Sequence, residues 1–118
     1  MQNLEQTRAK HADDAIRRCE KLSRSAVNKL PALIMQNGLL AACAFGSADG
    51  GGENRAHLKT ALDETARHLA QRGLIAGNIT DVKGMIENLS QRSSHDLQRA
   101  TTEALAFIAY LKRFAPKD

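Results

Sequence analysis

The chain has 118 residues, of which 42% are hydrophobic but only 3% aromatic, with 17 basic and 13 acidic side chains and a net charge of +4. That size supports a core without disulfides or a structural metal, and the shortage of aromatic and β-branched residues argues against a sheet protein and for helices built on Leu, Ile, Ala and Val. The pI near 9.4 permits an anionic partner without requiring one.

The spacing predicts a first helix from Leu4 to about Lys29. Leu4, Ala12, Ala15, Ile16, Cys19, Leu22 and Ala26 share one face at steps of three and four. Pro31 is expected to break or kink it between residues 23 and 31 and to open a second helix that ends at Asn37-Gly38. Leu39 to Phe45 reads as a short, wholly buried helix. Residues 46–52, with four glycines, read as a flexible surface loop.

Asn54 is the expected N-cap of a helix to about Gln71, with Leu58, Leu62, Thr65, Ala66 and Leu69 facing inward. A loop follows from Gly73 to Asn78. Thr80 is expected to cap a short helix carrying Val82, Met85, Ile86 and Leu89, weakened by Gly84. Ser93 opens the last helix, with Asp96 placed to complete a capping arrangement, and the helix runs to about Phe114. Its expected inner stripe is Leu97, Thr101, Ala104, Leu105, Ile108 and Leu111. The expectation is an all-α, compact bundle of about six helices of unequal length, one domain over residues 1–118.

The two cysteines, Cys19 and Cys43, occupy apolar helical positions without metal-type spacing, and read as reduced, buried thiols. The first residues are polar, and the longest apolar run, Leu39 to Phe45, is far too short to span a bilayer. A soluble cytoplasmic protein is expected.

The charge is uneven: residues 1–30 hold seven basic and four acidic side chains. Within them Lys10, Arg17, Lys21 and Arg24 fall in about a 60° stripe opposite the apolar face of a continuous helix. Such a stripe can track a phosphate backbone. It can equally be a solvated, salt-bridged face, because Asp13–Arg17, Asp14–Arg18 and Glu20–Arg24 are i,i+4 pairs in the stabilising order. No aromatic lies nearby to stack bases.

His57, Glu64 and His68 lie on one side of their helix and form the only arrangement that suggests a metal. That side is expected to end in water, and further ligands have no evident source. The alternatives this leaves open are a metal-dependent enzyme on that stripe and a stand-alone helical nucleic-acid-binding protein. No Gly-x-Ser-x-Gly turn, Cys–His pairing or phosphate-loop ending occurs, so neither a catalytic residue nor a cofactor is expected. Lys112-Arg113 suits the end of the last helix by its dipole alone.

Two stretches carry more specific information. Lys29-Leu30-Pro31-x-x-Ile34-Met35-x-Asn37-Gly38-Leu39, followed by an Ala-rich run ending in Ala44-Phe45, resembles a motif of the small helical subunit of the type III-B CRISPR effector, the Cmr complex. The run from Thr101 to Ala115, with Glu103-Ala104-Leu105-Ala106 and Leu111-Lys112-Arg113-Phe114, resembles that family's C-terminal motif. Tyr110 stands where the family often has Trp, and residues 46–92 match no motif.

The resemblance implies a non-catalytic, all-helical subunit of a crRNA-guided antiviral complex. Such subunits stack with copies of themselves and with backbone subunits, alongside the large polymerase-like subunit. They help hold guide and target RNA through backbone charge. It thereby raises Arg17, Lys21 and Arg24 as candidates for RNA phosphate contact, with Lys29, Lys112 and Arg113 from the motifs themselves.

Overall fold

In the computed structural model, residues 3–20, 22–48 and 52–117 are described, apart from the side chains of Glu53 and Asn54. They form α1 (Leu4–Arg18), α2 (Arg24–Asn37), α3 (Leu39–Ser47), α4 (Gly52–Gln71), α5 (Val82–Ser90) and α6 (Ser94–Phe114), with no strand among them. Side chains that satisfy orphan backbone donors mark four of the helix starts. Asn3 Oδ1 accepts from the Gln6 N–H at 2.9 Å while the Asn3 N–H donates to Gln6 Oε1 at 2.8 Å, a reciprocal capping box. Ser23, Asp81 and Ser93 cap α2, α5 and α6 by accepting from the N–H groups of Ala26, Gly84 and Asp96.

The long first helix is not formed. α1 stops at Arg18 and α2 starts at Arg24, so the break lies at residues 19–23 and Pro31 sits inside α2. Two contacts move it. Ser23 supplies a cap, and the Arg24 N–H donates to the Pro116 carbonyl at 3.1 Å, which ties this corner to the far end of the chain. Pro31 costs α2 one hydrogen bond. Val27, Leu30 and Ile34, all buried around it, hold the helix through that defect. Gly38 does end α2 as expected. At φ +90° it turns the chain while its N–H still donates to Ile34 and its carbonyl accepts from Ala42.

Other boundaries also shift. Asp81 rather than Thr80 caps α5, and α4 begins at Gly52, ahead of Asn54. Gly46 and Ser47, expected in the loop, complete α3. Residues 49–51 lie outside the described residues. Gly46 is buried, and a Cβ there would stand 2.3 Å from Leu62 Cδ1, so α3 and α4 meet closely at this residue. α3 itself is not wholly buried, because Ala41, Ala44 and Phe45 are exposed.

α4 occupies the middle and packs against each of the other five helices. It is therefore buried beyond one stripe: Ala61, Leu62, Ala66 and Leu69 join the core, and so do Glu64, Thr65 and His68. The inner face of α6 is turned from the expected one. Ala100, Glu103 and Phe107 are buried beside Ala104, Ile108 and Leu111, while Leu97 and Leu105 are only half-buried. Burial of Glu103 and Phe107 follows from α1 and α4 closing over that side.

Candidate nucleic-acid interface and buried charge seam

The side of α4 that sequence pattern placed in water is covered by α1 and the turn after it. The Ser23 N–H donates to His57 Nδ1 at 2.9 Å. Arg18 pairs with Glu64, and His11 meets His68 with their Nδ1 atoms 2.7 Å apart. The stripe of His57, Glu64 and His68 is thus a seam that docks α1 and Ser23 onto α4, and each of its members already has a protein partner. Among the described residues no group of three or more His, Cys, Asp or Glu side chains is placed to hold a metal ion.

The seam continues into α6. Glu103 receives Arg8 Nε on Oε2 and Arg8 Nη2 on Oε1, each at 2.8 Å, a bidentate pair. His68 Nε2 lies 2.8 Å from the same Oε2, and its ring stacks on Phe107 at 4.3 Å. Burial alone would raise the Glu103 carboxyl, but the hydrogen bonds from Arg8 and His68 take it below its ordinary range. His68 is 1% exposed, and burial pushes its pKa down to about 4 despite Glu103. Burial also lowers His11.

These facts assign the tautomers. A neutral His68 that donates Nε2–H to Glu103 keeps a lone pair on Nδ1, which accepts from Nδ1–H of His11. The donors run His11 to His68 to Glu103, with Arg8 closing the chain.

The candidate RNA contacts are distributed differently from the helical stripe expected. Arg17 is exposed on α1 and paired with Asp13 at 2.9 Å. Lys21 lies outside the described residues. Arg24 belongs to a different helix, and its guanidinium donates to the carbonyls of Ala115 and Arg113, both at 3.1 Å. It therefore caps the C-terminal end of α6. Lys29, Lys112 and Arg113 are exposed. The structure brings Arg24 beside the last turn of α6, which carries Lys112 and Arg113, and leaves Arg17 on another helix.

Each of the two motifs buries one side and leaves an apolar side chain outside. Leu30, Ile34 and Leu39 are buried while Met35 is 76% exposed; Phe107, Ile108 and Leu111 are buried while Phe114 is 43% exposed. Phe45, 48% exposed, lies under the Arg55 guanidinium. Burial pushes the Cys43 thiol up to about 12, and burial and the Glu64 carboxylate raise Cys19, so neither is an activated nucleophile. No helix among the described residues is long and apolar enough to cross a membrane.

Sequence pattern did not reveal the Arg8–Glu103–His68–His11 chain, because Arg8 and Glu103 stand 95 positions apart. It also missed a basic hollow between α4 and α6, lined by Arg72, His95 and Arg99. The only available signal was Glu103, a carboxylate near the start of the C-terminal motif.

Neither a curated protein nor a solved structure matches the chain. Residues 4–117, however, match the family described as CRISPR-associated protein (Cas_Cmr5), including the central part that carries neither motif. The chain therefore belongs to the Cas_Cmr5 family, a subunit family of the type III-B CRISPR Cmr complex.

Proposed function

We propose that this chain acts, as one helical domain, as a non-catalytic subunit of the crRNA-guided Cmr complex in cytoplasmic antiviral defence. It stacks with copies of itself and with the backbone subunits. It helps hold guide and target RNA through phosphate contacts that do not read sequence. The observation that carries this reading is the family match over residues 4–117.

The distribution of charge supports it. The acids and histidines that might serve chemistry, Glu64, His68 and Glu103, are spent on helix packing. The exposed cations Arg17, Lys29, Lys112 and Arg113 face solvent. Among the described residues the cation that stacks on an aromatic ring is Arg55, not Arg17 or Lys29, as suits contact with a backbone rather than with bases. Met35 and Phe114, exposed at the edges of the two motifs, suit contacts between subunits.

Salt titration tests the RNA role. The purified chain is expected to bind RNAs of unrelated sequence equally, with affinity falling as salt rises. Replacing Arg17, Lys29, Lys112 and Arg113 with Ala together flattens the log–log slope by about 0.7 for each cation that meets a phosphate on a single strand. Arg24 is left in place because its loss would uncap α6. An unchanged slope in this variant, with the fold intact, contradicts the assignment of these residues.

A further inference from the structure

We propose that the hollow between the C-terminal end of α4 and the N-terminal half of α6 is a phosphate-binding site, with Arg72 and Arg99 as its cations. The hollow has a volume of about 360 Å³ and is lined by Arg72, just past the end of α4, and by His95, Gln98 and Arg99 from α6.

That is room for a phosphate group with an attached sugar.

Glu103 forms its inner wall, and its oxygens are already taken by Arg8 and His68. Arg72 comes third to this carboxylate. Its Nε stands 3.9 Å from Glu103 Oε2, a loose ion pair beyond hydrogen-bond distance, and this buried N–H has no hydrogen-bond partner among the described residues. Arg99 is exposed, and its side chain makes no ion pair or hydrogen bond among the described residues. Lys10, Arg17, Lys59 and Arg92, by contrast, each pair with an acid four positions away. The acid four positions after Arg99 is Glu103, which is turned inward.

Two guanidinium groups with spare donors therefore face one hollow. Their planar forks fit the oxygens of a phosphate, and an anion in the hollow would add negative charge beside Arg72, which Glu103 holds only loosely. The ligand chemistry is a phosphate group, carried by an RNA backbone or free in solution. The inference rests on the proposed RNA role only for the choice between these sources.

The test follows the arginine Nε–H signals of the full chain by NMR. Inorganic phosphate and a uridylate decamer are added separately, with sodium chloride at matched ionic strength as the reference. Arg72 and Arg99 are expected to shift beyond the chloride reference, and Arg17 not to shift with inorganic phosphate. Shifts with the decamer alone assign the site to an RNA backbone, and shifts with inorganic phosphate alone assign it to a small anion. Arg99→Gln, at an exposed position, is expected to weaken binding about threefold or more and to lower the salt slope for the decamer by about 0.7. Signals of Arg72 and Arg99 that follow chloride in both titrations overturn the site. If they shift while the chain fails to enter a Cmr complex, the site stands and the proposed role falls.

Discussion

In the seam, Glu103 and Glu64 each gather more than one basic group, whereas on the outer faces Lys29, Arg99, Lys112 and Arg113 have no ion pair among the described residues. The same residue types thus do two kinds of work. A buried charge that loses its partner remains desolvated, so the seam fixes how α1, α4 and α6 pack. An exposed cation is hydrated and screened, contributes little to stability, and stays free to meet a phosphate. Stability and RNA binding are therefore expected to respond to different substitutions.

The largest effect tests the seam. Glu103→Ala leaves Arg8 unpaired and is expected to cost about 3–5 kcal/mol in denaturant unfolding. A cost as small as that of an exposed charge would erase the distinction.

Acid probes the same region. The pKa of His68 is lowered on folding, so the unfolded chain binds more protons below its ordinary value near 6.5. Stability is fully present above that pH and is lost as pH falls toward about 4, where folded His68 also protonates. The loss attributable to His68 is at most about 3 kcal/mol. The lowered Glu103 carboxyl acts in the same direction at still lower pH. His68→Gln is expected to flatten the slope of stability against pH between 6.5 and 4; an unchanged slope would show that His68 is not its source.

A smaller effect separates packing from charge. Gly46→Ala drives a Cβ toward Leu62 and is expected to cost about 1–3 kcal/mol, with no change in the salt dependence of RNA binding. Smallest of all, Arg17→Ala removes one exposed i,i+4 pair and is expected to cost only a few tenths of a kcal/mol. A larger loss would place Arg17 with the structural residues.

What could be read from sequence was local. Ser93 with Asp96, the Gly38 turn and the period of α5 each lie within a few residues of the structure they specify. The break before α2 was misplaced because a proline is a local signal, while the Pro116 carbonyl that meets Arg24 is supplied from the other end of the chain. The helical period correctly put His57, Glu64 and His68 on one side of α4. It carried no information that α1 would cover that side. The supposed stripe through Arg24 failed for a related reason: it needed a continuous helix that ends at Arg18.

The central proposal is that this chain holds RNA within the Cmr complex and performs no chemistry. Its most direct test compares complexes assembled with and without the chain for target-RNA affinity and for cleavage. The account predicts that target affinity falls without the chain while the remaining complex still cuts at the same positions. Loss of cutting that a point variant of this chain reproduces, with assembly and RNA affinity unchanged, would contradict it.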